Sequence, residues 1–250
     1  ISYRDHRTDN IDQEVYKIVS AEELYERTGI QKQLFNTLYQ IMAVKKYTPE
    51  ILNQVSSMLM IPDYFSYLLT GRQVCEYTNA STTQLVSSNT RNWDRELIEQ
   101  LGYPQTMFKE IIEPGTIIGN LTDIVQESVG FDTKVIATAS HDTASAVVSV
   151  PALREDFIYI SSGTWSLMGM ERNIADCSLE SMQANFTNEG GYNHRFRYLK
   201  NIMGLWMIQS LRRELEETLS FNELCQMAKA NQNFPSRVDV NDCCLLSPDS

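Results

Sequence analysis

Four consecutive residues offer the densest chemistry in the chain: Ser140-His141-Asp142-Thr143. They follow Thr133 to Ala139, a short β-branched and apolar run that reads as a buried strand. They precede the small apolar residues Ala144 to Val150, which read as the start of a helix. A polar cluster at the end of a parallel-type strand sits where α/β proteins place ligands. Asp142 in that position is a candidate general base that takes the proton from a substrate hydroxyl, as acidic residues do in phosphoryl transfer. The alternative is that Asp142 and Thr143 only cap the following helix; residue spacing leaves both readings open. A Ser-His-Asp hydrolase is excluded by geometry, because in that relay the imidazole lies between the other two side chains. There is also no G-x-S-x-G elbow.

A second candidate is the turn Ser161-Ser162-Gly163-Thr164-Trp165 within Phe157 to Met170, which reads as a hairpin. Gly163 lets backbone N–H groups approach a phosphate, and Thr164 adds a hydroxyl. Most such turns are only turns. No P-loop and no G-x-G-x-x-G fingerprint is present. Asn201 and Gln209 lie eight positions apart around an expected helix start at residue 201, so both can face one cleft or be solvated amides. Leu205, Ile208, Leu211 and Leu215 form one face of that helix, with Trp206 as a core residue. Tyr192 to Tyr198 reads as a weaker strand.

The elements before residue 130 must carry these groups, and they read as mostly helical. Ser20 with Glu23 forms a capping box, and Gly29 is a stop. Leu34, Leu38, Ile41 and Met42 recur at helical spacing. Thr48 before Pro49 is an N-cap with proline at the first helical position. Asp63 is expected to cap a helix ending at Thr70-Gly71. Asp94 to Gly102 with Pro104 is a start-to-stop signature, and Ser220 with Glu223 is another capping box. A domain boundary is placed at Pro151.

The chain has 250 residues, 42% hydrophobic and 21% charged. That is enough for one large or two modest domains without disulfides or metals. Its net charge of -11 argues against sequence-independent nucleic-acid binding, which needs Lys and Arg. No apolar run approaches the length of a membrane span. Five cysteines without regular spacing, Cys243-Cys244 being the only local cluster, read as free thiols in a reducing cytoplasm.

Taken in order, several segments resemble the FGGY carbohydrate kinases. These are YRDHRT at 3–8, Leu24-Tyr25 with Thr28-Gly29-Ile30, NTLYQ at 36–40, MIPDYF at 60–65 and EYTNA at 76–80 with Thr82-Thr83-Gln84. SHDTASAV at 140–147, YISSGTWSLMG at 159–169, NFTNEGG at 185–191 and LKNIMGLW at 199–206 complete the series. The resemblance covers essentially the whole chain. It implies an α/β architecture of two ribonuclease H-like, actin-type ATPase domains with an interdomain cleft, both incomplete here. Residues 1–150 would be the later part of the sugar-binding domain, and 151–250 the first half of the nucleotide-binding domain.

By the same resemblance, Asp142 would be the catalytic base toward a ketose 1-hydroxyl, with His141 and Thr143 helping to bind the sugar. Gly163, Thr164, Asn201 and Gln209 would line the ATP side, with Mg2+ neutralising the phosphates. The expected partners are a small ketose and ATP, with no nucleic acid and no membrane, for a monomer. Family members are nearly twice this length. The first phosphate-binding hairpin and a glycine-rich adenosine segment would lie beyond Ile1 and Ser250, so the chain alone is expected to be marginally stable and inactive. A related ketose or polyol kinase, or a non-catalytic remnant, are the competing readings.

Overall fold

The computed structural model describes residues 6–154, 156–163, 165–215 and 218–237. Helices fill most of the first half: α1 (Ile11–Tyr16), α2 (Ala21–Thr28), α3 (Thr37–Tyr47), α4 (Pro49–Gln54) and α5 (Ile61–Thr70). Then come β1 (Cys75–Glu76), α6 (Tyr77–Ser81), α7 (Arg95–Gln100), β2 (Ile111–Ile112), β3 (Ile117–Asn120), α8 (Asp123–Val129), β4 (Lys134–Ile136) and α9 (Asp142–Val148). The remainder is β5 (Ile158–Ser162), β6 (Trp165–Arg172), α10 (Leu179–Gln183), β7 (Thr187–Gly190), β8 (Phe196–Met203), α11 (Leu205–Glu214) and α12 (Phe221–Ala230).

The helix boundaries follow local chemistry. Ser20 accepts from the Glu23 N–H at the start of α2, and Gly29 closes it in the left-handed region, with φ 68. The Glu23 carboxylate turns to Arg27 rather than back to Ser20, so only half of the expected capping box forms there. At Ser220 both halves form. Asp94 caps α7 through the Leu97 N–H at 3.0 Å. Asp63 departs from expectation: α5 already begins at Ile61, and Asp63 lies inside its first turn, buried.

The chain divides into two compact units, residues 1–157 with 170–199, and residues 158–169 with 200–250. This differs from a single cut at Pro151, because residues 173–190 pack back on α2. The Tyr25 hydroxyl donates to the Phe186 carbonyl at 2.7 Å and lies 2.9 Å from Ser181 Oγ. Asn188 sends both its backbone N–H and its side-chain amide to the Gly29 carbonyl. Any Cβ on Gly29 would fall 2.9 Å from Asn188 Nδ2, so close approach and positive φ both require glycine there.

In the first unit the core is helical. Leu24, Leu38, Tyr39, Leu85, Leu97, Ile98 and Leu101 are fully buried and form one cluster. Around it lie the parallel pair β1–β2, the antiparallel pair β3–β4 with an irregularity between Ile117 and Gly119, and β7 paired antiparallel with β8. Residues 134–136 are a strand as expected, but not a buried one. The strand belongs to a two-stranded sheet, with Lys134 and Ile136 exposed. Ile61, Phe65, Ile117 and Ile124 are also at least half exposed.

In the second unit β6 lies between β5 and β8, followed by α11 and α12. Residue 201 does not open a helix. Residues 196–203 are extended because the first half of β8 pairs with the buried polar strand Thr187–Gly190, and α11 begins only after Gly204. Leu205, Ile208, Leu211 and Leu215 are 40–49% exposed, and Trp206 is half-buried beneath Arg213, not core. Among the described residues Cys75, Cys177 and Cys225 are free thiols, and no helix is long and apolar enough to cross a membrane. Residues 3–5 and the pair Cys243-Cys244 lie outside the described residues.

The Tyr25 hydroxyl ties α2 to residues 181–186. Replacing Tyr25 with Phe should leave the Phe186 carbonyl unpaired and destabilise the chain by about 1–3 kcal/mol. Denaturant unfolding followed by circular dichroism measures this; an unchanged midpoint contradicts the assignment.

Candidate active site

The site in the first unit is built outward from two buried carboxyls. Asp63, on α5, accepts the Glu76 N–H at 3.0 Å through Oδ1. Its other oxygen is buried without a hydrogen-bond partner. Burial pushes this carboxyl up to about 7, more than its hydrogen bond from the Glu76 N–H lowers it.

Glu76 closes β1 and caps α6, 2% exposed. It accepts the Thr78 N–H at 2.8 Å, the Thr78 hydroxyl at 2.6 Å and the Asn79 N–H at 3.4 Å. Its Oε2 also accepts the N–H and the hydroxyl of Ser140, at 3.0 and 2.6 Å. Thr78 Oγ1 in turn accepts the His141 N–H at 3.2 Å. One helix start therefore holds the backbone of residues 140 and 141. Ser140 is thereby committed to Glu76 and is no nucleophile.

Asp142 begins α9, with His141 as its N-cap and no side-chain capping bond. The Asp142 carboxylate is 98% exposed. Its Oδ1 accepts the Thr143 N–H at 2.6 Å, and the Thr143 hydroxyl approaches to 3.3 Å. Thr143 itself is buried. His141 lies with Nδ1 3.5 Å from Asp142 and Nε2 3.8 Å from Glu189. Burial lowers the His141 pKa against the opposing pull of Glu189. Glu189 is paired with the fully buried Arg197 at 2.9 Å. Arg197 also donates to the Gly190 carbonyl, whose own N–H is held by Ser81 of α6. Gly190 admits no side chain, since a Cβ would stand 2.7 Å from the Tyr77 ring.

Of the sequence-nominated residues, His141, Asp142 and Thr143 come together as one cluster. In the second unit Gly163 sits at the bend between β5 and β6, and its carbonyl accepts the Leu205 N–H at 2.9 Å. This ties the bend to the start of α11. Gln209 is exposed on α11, and Asn201 is half-buried on β8 rather than on the same helix. Thr164 lies outside the described residues. Sequence reasoning missed Glu76, Thr78, Glu189 and Arg197 as members of the site. A signal existed for the first two, because Glu76 stands two residues before Thr78 at a helix start, the pattern of a side-chain cap.

Asp63 makes stability depend on pH. The raised carboxyl means that folded Asp63 keeps a proton which the unfolded chain releases near about pH 4. Its stabilisation is full below that pH and is lost as pH rises to about 7. Asp63→Asn keeps an oxygen for the Glu76 N–H and removes the titration. Its melting temperature should exceed the parent's by a few degrees at pH 8 and lose that advantage near pH 4. A variant that follows the parent's pH slope would refute this.

Residues 1–149 match the N-terminal domain of the FGGY family of carbohydrate kinases. A rhamnulokinase of Oceanobacillus iheyensis is 51% identical over 250 residues, covering 100% of this chain and 53% of the relative. One from Halalkalibacterium halodurans is 52% identical over 248 residues, covering 99% and 53%. The chain thus spans about half the length of the curated relatives it matches. Among solved structures, ligand-bound xylulose kinase from Lactobacillus acidophilus shares the fold with TM-score 0.81 at 20% identity, over 92% of this chain and 47% of that one. Plasmodium falciparum glycerol kinase with ADP does so with TM-score 0.74 at 15% identity, over 92% and 47%. The family match across more than half the chain, and relatives alike along nearly all of it, agree with the kinase-like series of motifs that runs through the SHDT cluster to residue 206: the chain belongs to the FGGY family of carbohydrate kinases.

Proposed function

We propose that the chain supplies the catalytic base and part of the nucleotide side of an ATP-dependent kinase that phosphorylates L-rhamnulose at its 1-hydroxyl. The observation that carries this reading is the solvent-facing Asp142 carboxylate at the first turn of α9, on a backbone held by buried groups. The likeness to proteins named rhamnulokinase supplies the sugar.

In this reading residues 1–150 serve the sugar and residues 151–250 serve the nucleotide. Asp142 accepts the proton of the 1-hydroxyl as that oxygen attacks the terminal phosphorus, and ADP leaves. His141, with its charged form disfavoured by burial, presents a ring nitrogen to sugar hydroxyls without competing with Asp142 for the role of base. Thr143 holds the Asp142 carboxylate through its N–H. Gly163, Thr164, Asn201 and Gln209 serve the binding of ATP. Mg2+ bound with the nucleotide would supply the charge that neutralises its phosphates. The reaction belongs to L-rhamnose breakdown in the cytoplasm, carried out by a monomer.

The test uses a polypeptide of the relatives' full length that contains this chain, assayed for ADP release with Mg-ATP and L-rhamnulose, L-fuculose or D-xylulose. L-rhamnulose should give the highest kcat/KM; preference for another ketose would move the assignment within the family. Asp142→Asn should lower kcat by about 10²–10⁴ while changing the sugar KM far less. A variant with parental kcat would remove Asp142 as the base.

A further inference from the structure

We propose that Glu76 and Thr78 are positioning residues for Asp142: from the start of α6 they fix the backbone at residues 140 and 141, and so aim the carboxylate that follows. The inference rests on the reading of Asp142 as the base.

Asp142 cannot position itself. Its carboxylate is 98% exposed, and its contacts are with its own chain neighbours, Thr143 and His141. Its direction is therefore set by the backbone that precedes it. The His141 side chain makes no capping bond, and α9 has only seven residues, too short to define its own entry angle. From outside α9 the entry is held by three bonds to two side chains, the Ser140 N–H and hydroxyl to Glu76 Oε2 and the His141 N–H to Thr78 Oγ1; from within α9 only Ser145 Oγ reaches back past the cluster, to the Ala139 carbonyl at 2.6 Å. The Glu76 and Thr78 side chains are themselves joined at 2.6 Å.

The base of this clamp is rigid. Glu76 is 2% exposed and Thr78 0%. Glu76 is pinned on one side by the β1–β2 pairing and on the other by Asp63, which accepts its N–H. Among the described residues no cationic side chain bonds to the Glu76 carboxylate; its donors there are the N–H and hydroxyl groups of Thr78, Asn79 and Ser140. Burying a carboxylate on neutral donors is costly, and an apolar residue of similar size would stabilise a core more simply. Keeping it has a purpose when the donors it gathers, from residues 78–79 and from residue 140, must be held in register. A displacement of about 1 Å in the reacting group lowers turnover by about 10²-fold.

Thr78→Val keeps the shape of the side chain and removes the oxygen that links His141 to Glu76. In the full-length kinase, kcat should fall by about 10- to 100-fold, with the L-rhamnulose KM within about 3-fold of parent. Thr78→Ser, which restores the hydroxyl, should recover most of that loss. The decisive readout is a double-mutant cycle. Thr78→Val placed on Asp142→Asn should cost less than about 2-fold more, because a residue acting through Asp142 has nothing left to aim. Ser140→Ala, which deletes one of the three bonds and no packing, gives a smaller loss of the same kind and serves if Thr78→Val does not fold. Parental kcat in both Thr78→Val and Ser140→Ala overturns the inference, as does a loss of equal size in the parent and Asp142→Asn backgrounds. If Asp142→Asn alone keeps parental kcat, the base assignment itself has failed, and that result is distinct from a failure confined to the Thr78 and Ser140 variants.

Discussion

A single buried carboxylate, that of Glu76, joins parts of the chain more than sixty residues apart. Its oxygens take N–H and hydroxyl groups from residues 78, 79 and 140 at once. Each bond to an ionised acceptor is worth about 1.5–3 kcal/mol, and together they offset the several kcal/mol needed to remove the charge from water. Losing one donor weakens this compensation while the remaining bonds still hold the carboxylate. The neighbouring Asp63 avoids the same problem in another way, holding its proton to about pH 7. From these two groups the site grows outward, through Ser140 and His141 to a carboxylate standing in solvent.

A second buried pair works in parallel. Arg197 and Glu189 sit on adjacent strands, with Arg197 at 0% exposure, and Glu189 approaches the far side of the His141 ring. The imidazole is thus flanked by the exposed Asp142 and by a carboxylate already committed to a guanidinium. Burial lowers the pKa and outweighs the pull of both carboxylates toward the charged ring, which favours a ring that positions and bonds over one that carries charge.

Much of this was legible in the sequence, and the failures share a cause. Helix starts and stops at Ser20, Gly29, Asp94, Gly102 and Ser220 were readable because caps are local, set by residues within one turn of each other. The cluster at 140–143 was readable because a strand end and a helix start flank it within ten residues. Glu76 and Thr78 escaped because Ser140 and His141, the groups they hold, lie more than sixty residues away, and Glu189 and Arg197 because the polar strand that carries Glu189 gives no pattern to read. Strand β7, Thr-Asn-Glu-Gly, contains no apolar residue and has little β propensity, yet all four residues are buried. It is a strand because Asn188 is bonded to Gly29 and because β8 pairs with it. Missing β7 is also why residues 196–203 did not read as its partner, and why a helix was expected at 201. The β-branched run around 134–136 marks a strand correctly but not its exposure, since composition reports β-branching and not how many neighbours a strand acquires. The series of short motifs carried the family resemblance although no single one was specific.

The account stands or falls on where the Asp142 carboxylate lies when a sugar is present. A crystal structure of the full-length kinase with L-rhamnulose and a non-hydrolysable ATP analogue measures it directly. The account predicts an Asp142 oxygen about 2.6–3.2 Å from the ketose O1, with Glu76 still holding Ser140. A sugar bound with its 1-hydroxyl facing another base, and Asp142 left in bulk solvent, would contradict it.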